Sequence, residues 1–191
     1  MKKISLFLAV AALAILLPTA TFASTNLVTN PGFETGDFTG WTLGGNCSLF
    51  CNVTTTMPHS GNFSAQLGPV GSDGTLSQTI STVAGDTYTF SFWLANDAGT
   101  PSDFSAFFGG TQVLSLPNPD GFPYTLFSSN DVASSNSTTI MFDFRDDPAY
   151  FYLDDVSVVA GGTQVPEPSS FIALGTGLLG LITPLRRRFH A

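Results

Sequence analysis

Apolar and polar residues alternate with a period of two in the clearest segments of this chain. Tyr88, Phe90, Phe92 and Leu94 share one parity, with Thr87, Thr89 and Ser91 on the other. Ile140, Phe142 and Phe144 repeat the arrangement against Asp143 and Arg145. A strand sends alternate side chains to opposite faces, so each segment predicts one face on a core and one toward water. Similar short runs rich in Phe, Val, Tyr and Thr predict strands near 26–29, 41–43, 50–56, 63–67, 75–82, 87–94, 104–108, 112–116, 124–127, 138–144 and 150–159. Gly, Ser, Asn and Asp punctuate them, as in the Gly85-Asp86 turn. No helical period and no internal repeat interrupts the series. The pattern predicts an all-β jelly-roll β-sandwich.

The last strand breaks its own parity. Phe151 and Leu153 fall on one phase, Val156 and Val158 on the other, and the switch sits at Asp154-Asp155. One extra residue there would return both pairs to the core, so a β-bulge is expected, with a carboxylate turned sideways.

The two ends read differently. Lys2 and Lys3 precede an apolar run over 4–17, Pro18 ends it, and Thr21-Phe22-Ala23 offers small residues at the cleavage positions. Residues 1–23 are therefore expected to be a signal peptide, an N-terminal signal helix removed on export. At the other end, 163–191 holds Pro166-Glu167-Pro168, an apolar stretch and then Arg186, Arg187 and Arg188. Apolar-then-basic is a stop pattern, with the arginines kept in the cytosol. The stretch predicts a short C-terminal transmembrane helix at about 170–185. A full span takes about 20 apolar residues, and snorkelling arginines close part of the gap. The prolines hold the preceding peptide extended, within reach of a protease. The folded domain is expected over 24–162.

Charge narrows the partners. Two of the six basic residues lie in the signal and three in the tail, so the domain keeps only Arg145. Against it stand thirteen carboxylates over 24–165, a formal charge of −12. Such a field repels nucleic acid and anionic lipid and suits neutral ligands or hard cations. Cys47 and Cys51 are the only cysteines; an even count in an exported chain favours a disulfide over two free thiols. Their spacing does not fit a thioredoxin-like motif, and no second pair is present for zinc. His59, in Met57-Pro-His-Ser-Gly, is the domain's only histidine, and a lone loop histidine is usually a surface residue. No GxSxG elbow appears.

The tail, VPEPSSFIALGTGLLGLITPLRRR over 165–188, closely resembles the PEP-CTERM sorting signal, also known as an ice-binding protein C-terminal domain. The resemblance implies an exosortase as partner, cleavage near Pro166, Glu167 and Pro168, and a host that makes exopolysaccharide. Export through the inner membrane, a transient membrane anchor and a final place at the cell surface or outside it would follow. A second, weaker resemblance brackets the domain. NLVTNPGFETGDFTGWT (26–42), GDTYTFSFWLA (85–95) and FYLDDVSV (151–158) look like segments of carbohydrate-binding-module and galactose-binding-like jelly rolls. That resemblance implies a structural Ca2+ joining the first and last strands through Glu34 and one of Asp154 or Asp155. Calcium's taste for carboxylates mixed with carbonyls agrees; the other reading is a solvated turn glutamate and a bulge carboxylate capped by backbone amides.

Aromatics leave two readings open. Trp93 lies on the polar parity of its strand, where it either stacks on a bound sugar or packs beneath a loop. Phe104, Phe107, Phe108, Phe122, Tyr124 and Phe127 either line a groove or fill the core. Taken together, the sequence predicts a non-enzymatic surface or matrix protein that binds polysaccharide. A purely structural biofilm protein is the alternative, and a hydrolase using Asp146, Asp147, Asp154 or Asp155 ranks last, because neighbouring strand residues point to opposite faces.

Overall fold

The computed structural model describes residues 25–161; the expected signal helix, PEP motif, transmembrane helix and basic cluster fall outside them. Ten strands and one helical turn follow in order: β1 (Thr42–Gly45), α1 (Cys47–Phe50), β2 (Cys51–Thr54), β3 (Ser64–Leu67), β4 (Gly74–Ser81), β5 (Thr87–Asn96), β6 (Ser102–Phe108), β7 (Thr111–Pro117), β8 (Phe122–Val132), β9 (Ser137–Asp146) and β10 (Phe151–Ala160). They form two five-stranded antiparallel sheets, β1-β4-β9-β6-β7 and β2-β3-β10-β5-β8. This is the expected all-β sandwich.

The period-two residues meet between the sheets. Leu76, Phe104, Ala106, Ile140, Phe142 and Phe144 face inward from one; Leu67, Phe90, Phe92, Leu94, Phe151 and Leu153 face them from the other. Phe142 is the hub. Its ring lies 4.9 Å from Phe92 edge-on, 5.7 Å from Phe104, 5.8 Å from Phe90 and 6.2 Å from Trp41. Aromatic pairs at such separations add to the area they bury.

The bulge is where the parity switch puts it. The β10–β5 register shifts between Asp154 and Ser157, and Asp155 takes φ 48°. Phe151, Leu153, Val156 and Val158 are all fully buried as a result. The N-terminal segment runs beside the same strand without forming the separate strand expected at 26–29. Leu27 N–H donates to the Val158 carbonyl at 2.9 Å, and Val156 N–H to the Pro31 carbonyl at 2.9 Å. Asn26 takes the place of further ladder bonds, its amide binding Val156 O at 3.0 Å and its carbonyl accepting from Val158 N–H at 2.9 Å. The turn that follows plugs the core with Phe33, which stacks on Trp41 at 5.7 Å, while the indole N–H donates to Asn30 O at 3.2 Å.

Cys47 and Cys51 are disulfide-bonded. They close a single helical turn, α1, that the alternation pattern did not predict. The strand expected over 50–56 accordingly starts one residue later and stops at Thr54. Strand β8 is longer than expected because its outward residues are polar or exposed and carry little hydrophobic signal.

Phe142→Ala should lower the unfolding free energy by about 3–5 kcal/mol in urea or guanidinium titrations, since its four ring partners cannot all collapse into the void. A loss below about 1 kcal/mol would show that the core is looser than this packing.

Candidate functional site

The outward faces of the two sheets differ, and the difference begins with a loop. Between β2 and β3 the chain leaves the sheet and folds back over the outer face of β10 and β5. Trp93 points out from β5, opposite Asp154 on one side and Leu126 on the other. The His59 ring stacks on it at 4.0 Å and 18°. Tyr124 meets His59 edge-on at 5.1 Å, and its hydroxyl donates to Met57 O at 2.6 Å. One face of the Trp93 ring is thus closed by the loop, which is the packed arrangement and not a free platform.

Three carboxylates hold that loop down. Asp154, 0% exposed, accepts from the backbone N–H groups of His59 at 2.8 Å and Ser60 at 3.1 Å through Oδ2, and from Asp155 N–H at 2.7 Å through Oδ1. Asp155, turned sideways by the bulge, accepts the Ser60 hydroxyl at 2.7 Å and pairs with His59 Nδ1 at 2.7 Å. Glu34 Oε1 accepts from Asn62 N–H at 2.8 Å and Phe63 N–H at 2.9 Å. Gly61 passes beneath that carboxylate at φ 61°, where a Cβ would lie 2.3 Å from Oε1, so only glycine fits. Burial pushes the Asp154 carboxyl up to about 6 in spite of its N–H donors. The N–H groups of Phe63 and Asn62 hold Glu34 below its ordinary range.

Glu34, Asp154 and Asp155 were the expected calcium ligands, and the structure does bring them together around Gly32. The donors aimed at them are N–H and O–H groups. Among the described residues, no three acidic, histidine or cysteine side chains converge to hold a metal ion. The expected ligand set was Glu34 with one of Asp154 or Asp155; in the structure these carboxylates accept backbone N–H and hydroxyl donors.

The other sheet presents an open outer face. Strand registers align Thr75, Asp143, Ser105 and Ser115 in one row across β4, β9, β6 and β7, and Ser77, Met141, Phe107 and Gln112 in the next. Met141 and Phe107 are apolar residues on the polar parity, side by side and half-buried. Gln112 donates to the Ser105 hydroxyl at 3.0 Å. Asp143 Oδ1 is buried and has no hydrogen-bond partner among the described residues. Burial, then the charge of Asp73, pushes Asp143 above its ordinary range; Asp103 is raised by burial, then by Asp73 and Asp143. Arg145 sits at the end of the face and is committed to Asp147, its Nε 3.0 Å from Oδ2 with a second contact from the guanidinium. That pairing holds Asp147 below its usual range. The face therefore combines an apolar strip with hydroxyls, an amide and acceptors, and its one cation is already neutralised.

Sequence reasoning noted Asp143 only as a water-facing residue and passed over Met141 altogether. The signal was there: one apolar residue on the polar parity in each of two neighbouring strands. Of the six middle aromatics, Phe104 and Phe108 are core, Phe107 faces out, and Phe122, Tyr124 and Phe127 are half-buried along β8. The acids considered for hydrolysis are dispersed, with Asp146 pointing inward and Asp147 on Arg145, while Asp154 and Asp155 bind the loop.

Residues 25–144 match the model of a carbohydrate binding domain. The chain belongs to that family. Residues 164–188 separately match the PEP-CTERM protein-sorting motif. Among solved structures, the domain is similar to TmCBM61 in complex with β-1,4-galactotriose, at 18% identity and a TM-score of 0.61, covering 72% of this chain and 99% of that one. It is similar to the CBM22-1 xylan-binding domain from Paenibacillus barcinonensis Xyn10C at 15% identity and a TM-score of 0.52, covering 76% and 100%. The enzymatically active domain of bacteriophage CBA120 tailspike protein 4 shares the fold over 71% of this chain and 21% of that one, at 18% identity and a TM-score of 0.55. No curated protein matches the chain. Among the described residues, no helix is long and apolar enough to cross a membrane.

The Glu34 contacts generate a pH-dependent outcome. A carboxylate held below its ordinary value of 4.5 stabilises the fold above that pH, and the contribution disappears as pH falls through the folded value. Glu34→Gln should lower the melting temperature at pH 7, and the gap to wild type should narrow as pH drops below 4.5. An equal gap across the acid range would mean that the charge of Glu34 adds nothing to the clasp.

Proposed function

We propose that this carbohydrate-binding domain acts without catalysis as an exported, exosortase-sorted surface protein that binds a neutral polysaccharide on the outer face of β4, β9, β6 and β7. The observation that carries the reading is the half-buried Phe107–Met141 strip beside the Asp143 carboxylate on the outer face. Sugar rings present C–H faces that pack on aromatic or thioether surface, and equatorial hydroxyls that donate to carboxylates and amides. Asp143, Ser105, Gln112, Thr75 and Ser77 supply those partners along two rows, and a row of β-strand residues suits an extended chain. The negative domain disfavours anionic glycans. Membership of the carbohydrate-binding family supports the ligand class, and the β-1,4-galactotriose and xylan named for its structural neighbours make galactan and xylan the first polymers to try. The sorting motif supports delivery: the signal peptide exports the chain, the tail anchors it in the membrane, and exosortase cleavage places the domain at the cell surface within an exopolysaccharide layer.

Binding is tested by affinity electrophoresis and calorimetry on a panel of neutral polysaccharides. Phe107→Ala and Asp143→Asn should each weaken the bound glycan roughly tenfold, about 1.4 kcal/mol, with melting temperature little changed. Trp93→Ala should chiefly lower the melting temperature, by unseating His59. Binding lost in Trp93→Ala but kept in the other two would move the site to the opposite sheet. No binding across the panel would leave a structural surface protein as the better account.

Sorting is tested by the intact mass of the protein recovered outside the cell. It should start after Ala23 and lack the residues beyond about 168, taking the cleavage positions from the two end motifs. Recovery of the full tail on exported protein would overturn the cleavage.

A further inference from the structure

Where the ladder of β2, β3, β10 and β5 stops, one more row of residues crosses the end of that sheet. Cys51, Leu67, Phe151 and Asn96 form the last paired row. Beyond it, Gly68 N–H donates to Phe50 O at 3.1 Å, and Asp97 N–H to Tyr150 O at 3.1 Å. Phe50, Gly68, Tyr150 and Asp97 therefore stand side by side. Leu67 and Phe151 are fully buried and face the core, so the row after them has the outward parity. Phe50 and Tyr150 are each 38% exposed, and no other aromatic side chain among the described residues is as open. Both open aromatics thus stand in one row with a glycine between them.

The aromatics are held in place by their surroundings. Tyr150 leans over Gly68: a Cβ on that glycine would meet Tyr150 Cε1 and the Ala149 carbonyl oxygen at 2.7 Å each. The Tyr152 ring lies 6.4 Å from that of Tyr150. The Cys47–Cys51 disulfide closes the turn that carries Phe50. Two strand spacings separate Phe50 from Tyr150, about 10 Å between their backbones, the reach of two linked pyranose rings. Polar groups flank them. The Asp97 side chain is exposed at one end of the row. One outward row back, the registers align Asn52, Gln66 and Tyr152, and Gln66 Nε2 donates to the Tyr152 hydroxyl at 3.1 Å. Burial first, with the charge of Asp97 behind it, raises the Tyr152 phenol above its ordinary range.

We infer that Phe50, Tyr150 and Asp97, with Gln66 behind them, form a second carbohydrate-contact surface, for a neutral glycan lying across the strands on the sheet opposite the β9 face. Aromatic surface takes the C–H faces of sugar rings, and a carboxylate and an amide take their hydroxyls. An anionic chain is disfavoured by the acidic domain, whose one arginine is engaged by Asp147. A purely apolar partner would leave the Asp97 carboxylate facing it without water or a donor. The surface is separate from the clasp of the 57–63 loop, since Trp93 and Asp154 lie two outward rows further along the sheet. One consequence rests on the reading given under the proposed function: with a glycan on the β9 face as well, one domain grips two chains on opposite faces and cross-links a polysaccharide layer.

The test is calorimetry on the full chain, purified in detergent, with β-1,4-galactotriose and xylan oligosaccharides too short to bridge the two faces. Wild type should bind two per chain. Tyr150→Ala should weaken one of the two sites roughly tenfold and leave the other unchanged, while Phe107→Ala does the reverse. Asp97→Asn, which keeps the aromatic packing intact, should weaken the same site as Tyr150→Ala several-fold with the melting temperature unchanged, so a folding defect in Tyr150→Ala does not remove the test. Mixed with long polymer, wild type should form light-scattering networks, and each of Tyr150→Ala and Phe107→Ala should abolish them. A single site that Tyr150→Ala and Asp97→Asn leave untouched overturns the inference and leaves the β9-face reading standing. A single site lost in Tyr150→Ala and untouched by Phe107→Ala upholds the inference and removes the β9-face reading. The inference also falls if no oligosaccharide binds, or if Tyr150→Ala alters the self-association of the protein and not its sugar stoichiometry, which would make the row a contact between copies.

Discussion

The structure depends on one extra residue in its last strand. Without the bulge at Asp154-Asp155, either Phe151 and Leu153 or Val156 and Val158 would point to water, and the central strand of its sheet would bury half its apolar side chains. The same residue fixes what lies outside the core. By turning Asp155 to φ 48°, it sets two neighbouring carboxylates toward the 57–63 loop, and that loop brings His59 onto Trp93. The N-terminal segment closes on the same stretch through Pro31 O and Asn26. Packing, loop placement and the joining of the domain's two ends are thus one local event.

Charge is the second constraint, and the domain meets it residue by residue. With one arginine for thirteen carboxylates, ion pairing can serve almost none of them. Backbone and hydroxyl donors serve instead. Glu34 takes two amides, Asp37 takes the amide of Thr39 and the hydroxyl of Thr35, and Asp154 takes three amides. A carboxylate that accepts fixed N–H donors keeps its charge at little cost. Turns rich in Asn, Ser, Thr and Gly supply such donors freely, which explains how so acidic a chain remains compact. Asp146 is the exception that this economy of amides does not reach.

Much of the fold was legible because its physics is local. Period-two alternation follows from strand geometry, so β4, β5, β9 and β10 could be read to within a few residues, and the parity switch located the bulge. The disulfide followed from cysteine count and compartment. What escaped reading depends on tertiary placement. The 26–29 segment has strand composition but binds β10 through Asn26 and scattered backbone bonds rather than a regular ladder. His59 and Trp93 lie 34 positions apart, and nothing in their spacing shows that the loop lays one ring on the other. Asp143 and Asp146 look alike in FDFRD, yet strand parity sends one to the open face and the other into the end of the sandwich.

The two outer faces of the sandwich are therefore built differently. On the sheet containing β10, the bulge has turned carboxylates toward a loop, and the loop has spent the exposed aromatic on internal stacking. A Trp93 ring held by His59 and flanked by Asp154 cannot also offer that covered side to a sugar without breaking the clasp. On the sheet containing β9, the outward residues include a half-buried apolar strip at Phe107 and Met141 and the Asp143 carboxylate, one oxygen of which has no partner among the described residues. An unsatisfied polar atom beside half-buried apolar surface costs stability in the free protein. An incoming chain of hydroxyls and C–H faces would satisfy both, and that is the argument for the proposed binding face on the sheet containing β9.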